Sequence, residues 1–185
     1  QRSVRNIDPI NPSEVPPFDR DAATDSQDLD KIQEVPVFRI INIDKNGQYR
    51  VWMGRSLKPK PQGAVDLKEP GARIFFDSRR ILQILGGEGT FVAPDQQIRS
   101  GELRNGVVLT FFKAPLEQTV DLNTNSPHVQ AHVFMPQASF DVALGSIETQ
   151  PDSPIHVTSP VVDFTGHGLT ISFTPQHRRM ERLVI

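Results

Sequence analysis

Cysteine is absent from the 185 residues, and with it go a disulfide framework, a thiol nucleophile and any cysteine-ligated zinc site. Oxidising and reducing compartments both tolerate such a chain. An excess of positive charge is missing as well: 20 Lys and Arg face 22 Asp and Glu, a net charge of −2. No overall basic surface is left for DNA or RNA to follow, so nucleic acid is not an expected partner. No apolar run approaches the roughly 18 residues that span a bilayer as a helix. Residue 1 is Gln, so a signal peptide or anchor helix is expected only upstream of it. Aromatic residues with a polar handle are scarce, one Trp and one Tyr against 11 Phe, which leaves Trp52 and Tyr49 as the natural platforms for stacking a sugar.

What is present divides at about residue 34. In residues 1–34, Pro9, Pro12, Pro16 and Pro17 hold the chain extended, and eight acids (Asp8, Glu14, Asp19, Asp21, Asp25, Asp28, Asp30, Glu34) face four bases (Arg2, Arg5, Arg20, Lys31). So little apolar surface cannot offset the entropy of ordering the segment, which reads as an acidic, Pro-rich spacer. Residues 35–185 change to a period of two, the alternation of strands with one face buried. Val35, Val37, Ile41 and Ile43 share a parity, and Asp44-Lys45-Asn46-Gly47 is a hairpin signal because Asn-Gly accepts positive φ. Tyr49, Val51 and Met53 alternate with Arg50 and Trp52, and SLKPKPQG reads as a Pro-broken loop. Further short strands are expected in ARIFF, RRILQIL, EGTFVAP, NGVVLTFF, VQAHVFM, SFDVAL, PIHVTS, VVDF, LTISF and MERLVI, with Gly86, Gly87, Gly101 and Gly106 as turns or bulges between them. The expectation is an all-β domain: an elongated open β-jellyroll, two antiparallel sheets of stacked hairpins, with no helix in its body. Ile74 to Leu85 and Leu169 to Ile185 echo one another as strand, charged turn and strand.

Motifs for chemistry are weak. His128 and His132 share a helix face at i, i+4, but on a strand they stand about 13 Å apart, too far for one ion at Zn–N bonds of about 2.0 Å. His156, His167 and His177 are isolated among turn residues. The run DRDAATDSQDLD lacks the Gly and the spacing of a calcium loop. In GGEG (residues 86–89) a strand, not a helix, follows, so a bulge is expected rather than a phosphate cradle. No Ser lies in G-x-S-x-G. No catalytic residue, metal or cofactor is therefore expected, and the protein is read as a non-enzyme.

Phenylalanine recurs in almost every strand, which suits either an ordinary sandwich core or inner faces that stay parted as an apolar trough for acyl chains. By inward parity the candidate lining is Met53, Ile74, Phe76, Ile84, Phe91, Leu109, Phe111, Val133, Phe140, Val142, Leu169, Ile171 and Phe173; a slip of one residue would turn a strand's whole set to the other face. Lys58, Lys60, Arg79, Arg80, Arg178, Arg179 and Arg182 gather in turns, as solvated surface or as forks for phosphorylated head groups. Candidate edge strands, able to accept a partner strand through free N–H and C=O groups, are Val35 to Ile43 (Val35, Val37, Ile41) and Met180 to Ile185 (Met180, Leu183, Ile185). A longer chain that placed its own next strand beyond Ile185 would produce the same ending.

The segments VPVFRIINIDKNGQYRVWMGRS, VDLKEPGARIFF and GEGTFVAPDQQIRSGELRNGVVLTFF, together with the closing PIHVTSPVVDFTGHGLTISFTPQHRRMERLVI and its Gly166-x-Gly168, resemble the periplasmic bridge proteins of lipopolysaccharide export, the LptC, LptA and OstA-like domains. The likeness covers most of residues 35–185 and rests on short hairpins and glycines. It implies an open jellyroll abutting its partners edge to edge, with lipopolysaccharide or a similar lipid sliding through the groove. It further implies other bridge jellyrolls, or copies of the chain itself, as partners, an ATP-powered inner-membrane transporter behind them, and a periplasmic location. The order of spacer and strands looks most like the membrane-tethered LptC type. The longer acidic lead departs from that pattern and suits an excised module or an unusual homologue. The rival expectation is a β-sandwich carbohydrate-binding or adhesion module working through Trp52 and Tyr49.

Overall fold

A computed structural model describes residues 35–43, 49–77, 79–94, 97–116, 118, 120–174 and 179–185. The acidic spacer over 1–34, the Asp44 to Gly47 hairpin turn and the polar turn at 175–178 lie outside them. The described residues form an all-β, jellyroll-like fold of fourteen strands in one curled antiparallel sheet. The strands are β1 (Val35–Ile43), β2 (Tyr49–Pro59), β3 (Ala64–Phe75), β4 (Arg80–Leu85), β5 (Glu88–Val92), β6 (Ser100–Arg104) and β7 (Val107–Lys113). They continue as β8 (Val129–Met135), β9 (Ala138–Asp141), β10 (Ser146–Glu148), β11 (Pro154–Thr158), β12 (Asp163–His167), β13 (Thr170–Thr174) and β14 (Arg179–Val184).

The two expected layers are made from this single sheet by a fork in β3. One edge of β3 pairs with β2 along its length. The other edge pairs with β4 over Gly71 to Phe75 and with β5 over Ala64 to Lys68. Beyond the fork, one layer runs β4-β7-β8-β11-β12 and the other β5-β6-β9-β10-β13-β14. The chain alternates between them, so β4-β5, β6-β7, β8-β9, β10-β11 and β12-β13 each cross from layer to layer. These crossings fall on one side, a crease, and the described hairpin turns fall on the other, a mouth.

The crease is a line of bent backbone. Glu69 N–H donates to Gly87 O (2.8 Å), Gly86 N–H to Pro70 O (2.9 Å), Gly87 N–H to Arg104 O (3.1 Å) and Gly106 N–H to Pro136 O (3.2 Å), so hydrogen bonding continues around the bend. Ser56 (φ 51°), Glu69 (φ 47°) and Asn105 (φ 61°) take left-handed conformations there, each at a cost of about 1–2 kcal/mol for a side-chain-bearing residue. Gly106, at φ 85°, takes one without that penalty. Gly86 and Gly87 thus form a bend and not an anion cradle, as GGEG suggested.

Other expectations need correcting. The loop read from SLKPKPQG shrinks to a turn over Pro61–Gly63, because Leu57 is buried and Lys58 and Pro59 still pair with Asp66 and Val65. The strands β6 and β10 escaped the sequence pattern: SGELR offers one large apolar side chain and SIE is three residues long. Gly101 is no turn. It lies inside β6, where a Cβ would come within 2.7 Å of both Phe140 Cε1 and Phe91 Cδ1.

The core lies between the layers, and the strand registers order it into rows perpendicular to the strands. In one layer the row is Ile40-Trp52-Ala72-Ile84-Leu109-Val133-Val157-Phe164. In the other it is Val65-Phe91-Gly101-Phe140-Ile147-Ile171. At about 4.8 Å per strand the first row is roughly 34 Å long. Trp52 of the first row packs against Phe91 and Phe140 of the second, with centroid separations of 5.8 Å (Trp52–Phe91), 5.4 Å (Trp52–Phe140) and 5.0 Å (Phe91–Phe140). Gly101→Ala is expected to lower stability by about 1–3 kcal/mol through overpacking of those rings, as read by denaturant unfolding. Gly106→Ala, which meets no atom within 4 Å, should cost only the backbone penalty of about 1–2 kcal/mol.

Candidate functional site

The interior between the layers is almost filled, and its one described apolar slot opens toward the mouth. The slot, about 40 Å³, is lined from one layer by Ile74 and Ile84, from the other by Phe140, Val142, Ile147 and Phe173, and from β2 by Arg50 and Trp52; Asp141, Gly145 and Ser146 complete its rim. A single water needs about 10–15 Å³ on this measure, so the slot admits a few methylene-sized groups and no complete acyl chain. Phe76 of one layer stacks on Phe173 of the other, centroids 5.4 Å apart and planes at 29°. This pair joins the layers across the mouth, on the side where no chain crossing ties them.

Ile74, Phe76, Ile84, Phe91, Leu109, Phe111, Val133, Phe140, Val142, Leu169, Ile171 and Phe173 all belong to the interior or pack against it. Met53 does not. It pairs with Arg39 and Gly71 on the outer face, and Trp52 takes the inward position. In YRVWMG both parities are apolar and both Val51 and Trp52 are buried, so alternation alone could not choose. Across the interior Gly101 leaves room beside Phe91 and Phe140, where the indole packs. Trp52, 4% exposed, is therefore no surface platform for a sugar, and Tyr49 packs edge-on against Phe75 at 5.3 Å. The sequence reading also passed over Leu82, Ile40 and Phe164, which the registers bring into the inner rows or beside them.

Trp52 Nε1 is buried and has no hydrogen-bond partner, the one such side-chain atom among the described residues. An unmet buried donor costs about 1–3 kcal/mol. Its indole lines the slot.

Among the described residues β1 pairs only with β2, β12 only with β11 and β14 only with β13, so these are the outermost described strands at the two ends of the rows. Val37 and Ile43 are exposed on β1, and Val161, Val162, Phe164, Val184 and Ile185 at the opposite end. A Cβ on Gly166 would fall 2.7 Å from Ile185 Cγ2, which places the ends of β12 and β14 together. The side chains of Val35, Met180 and Leu183, three of the predicted edge residues, lie outside the description; Ile41 is half-buried beside Val51.

At the mouth the β3–β4 turn is organised by Asp77, whose carboxylate accepts from Arg79 N–H (2.8 Å), Arg80 N–H (2.7 Å) and Arg80 Nε (2.7 Å). Burial pushes the Asp77 carboxyl up, but the bonds from Arg79 and Arg80 outweigh it and hold it below the usual carboxylate range. Asp66 is held low as well, chiefly by the bond from Lys60, against burial and with help from Thr90. Lys60 and Arg80, expected as solvated cations, are thus engaged locally. Of the histidines, His132 Nδ1 bonds Thr110 (3.0 Å), His128 Nδ1 accepts from Asp121 N–H (3.0 Å) and His156 Nε2 bonds Asp163 (2.8 Å), each at a different place. Neither a scan against family models nor a search of curated proteins finds a match to the chain.

Two outcomes are expected. Because the folded carboxyls of Asp66 and Asp77 are depressed, their contribution is complete above the unfolded value of about 3.9 and is lost as pH falls through the folded values. Unfolding measured from neutral pH downward should show that loss, and the double variant Asp66→Asn, Asp77→Asn should flatten it. Phe173→Ala should lower stability by about 1–3 kcal/mol and raise the uptake of an apolar fluorescent dye, since it removes the clasp across the mouth.

Proposed function

We propose that the protein binds and conducts a lipid, with acyl chains held between the two layers, and performs no covalent chemistry. The observation that carries the reading is the pair of apolar rows running the length of the interior and ending at the outermost described strands. Burial of each methylene at about 0.8 kcal/mol makes such binding strong and tolerant of chain identity, and parting the layers at the mouth would admit a chain sideways without breaking the crease. These end strands suit β-augmentation by a neighbouring jellyroll of the same kind or by another copy of the chain, which would join groove to groove. Together with the resemblance to the LptC, LptA and OstA-like domains, these features favour a periplasmic bridge for lipopolysaccharide or a similar lipid, supplied by an inner-membrane transporter. The burial of Trp52 and the packing of Tyr49 remove the aromatic platforms on which a carbohydrate-binding module would rely.

Photoreactive residues at Leu109, Phe111 and Ile171, which point between the layers, should crosslink to acylated lipid, while the same residue at exposed, outward-facing Phe134 should not. Equal labelling at Phe134, or none at the three inner positions, would overturn the proposal.

A further inference from the structure

Resting on the reading of the interior as an acyl groove, we infer that Trp52 is a specificity residue whose indole N–H donates to a neutral acyl carbonyl of the bound lipid. The indole is 4% exposed and its Nε1, closed to a water-sized probe, has no partner; Trp52 itself lines a slot that reaches the rim, so a chain that parts the layers at the mouth is what brings an oxygen to the N–H. Folding buries the N–H without a protein acceptor among the described residues, a loss that a ligand oxygen would make good. The donor is also at a suitable depth. Arg50 marks the rim two residues earlier on β2, so Trp52 stands about 6.6 Å further in at ~3.3 Å per residue. An amphiphile with its head at the rim would place the ester or amide carbonyl that begins its hydrocarbon near this level, and Ile84, Val142 and Ile147 would receive the first methylenes. A carboxylate is disfavoured at that depth, because its charge would be taken out of water with only one donor to meet it. The inferred ligand is thus an esterified or amidated acyl chain rather than a free fatty acid or a plain hydrocarbon.

The chain contains a single Trp, so one indole resonance in the proton–nitrogen spectrum of the whole protein reports this bond. Methyl myristate should move that resonance downfield and shift the methyl signals of Ile84 and Val142, whereas tetradecane should shift the methyls alone. Trp52→Phe should weaken methyl myristate by about five- to tenfold, the loss expected for one buried hydrogen bond, and leave tetradecane within about twofold. If methyl myristate shifts the methyls but leaves the indole signal where tetradecane leaves it, the assignment to Trp52 falls and the groove stands. An indole N–H already in contact with bound water in the ligand-free protein would overturn the assignment in the same way. Methyl signals unmoved by either compound would overturn the groove reading and this inference together.

Discussion

The structure depends on the crease. Each long strand of the sheet is bent at a corresponding point, and the backbone bonds from Glu69 to Gly87, Gly86 to Pro70, Gly87 to Arg104 and Gly106 to Pro136 carry the sheet around the bend. Every crossing between the layers lies along that line. Among the described residues the opposite side is joined by the Phe76–Phe173 stack. Backbone connection thus lines one side and apolar contact the other. The left-handed conformations of Ser56, Glu69 and Asn105 are the local strain that this arrangement sustains.

A close-packed interior loses contact energy when its layers part, and the space between these layers is accordingly small, a slot of about 40 Å³ beside Phe173. Along the axis the first row ends on the exposed Phe164.

Trp52 concentrates the questions of packing and function in one side chain. Its ring is the centre of the aromatic cluster with Phe91 and Phe140. Its polar atom is left without a partner. A phenylalanine would fill most of that space without the unmet donor, so packing alone does not account for an indole at this position.

The period of two, the turn residues and the absence of helical periodicity were enough to establish an all-β chain and most of its strands, because the alternation of side chains across a strand is a local property. The same alternation identified all the interior candidates except Met53. It failed there because β2 is apolar on both faces, and Trp52 rather than Met53 is the one that packs on Phe91 and Phe140, 39 and 88 positions away in the chain. The strands β6 and β10 were likewise set by their neighbours, since SGELR and SIE carry too little pattern of their own. Which strands pair, that β3 forks into two layers, and that every crossing falls on one side are consequences of long-range backbone hydrogen bonding, which tertiary structure alone decides.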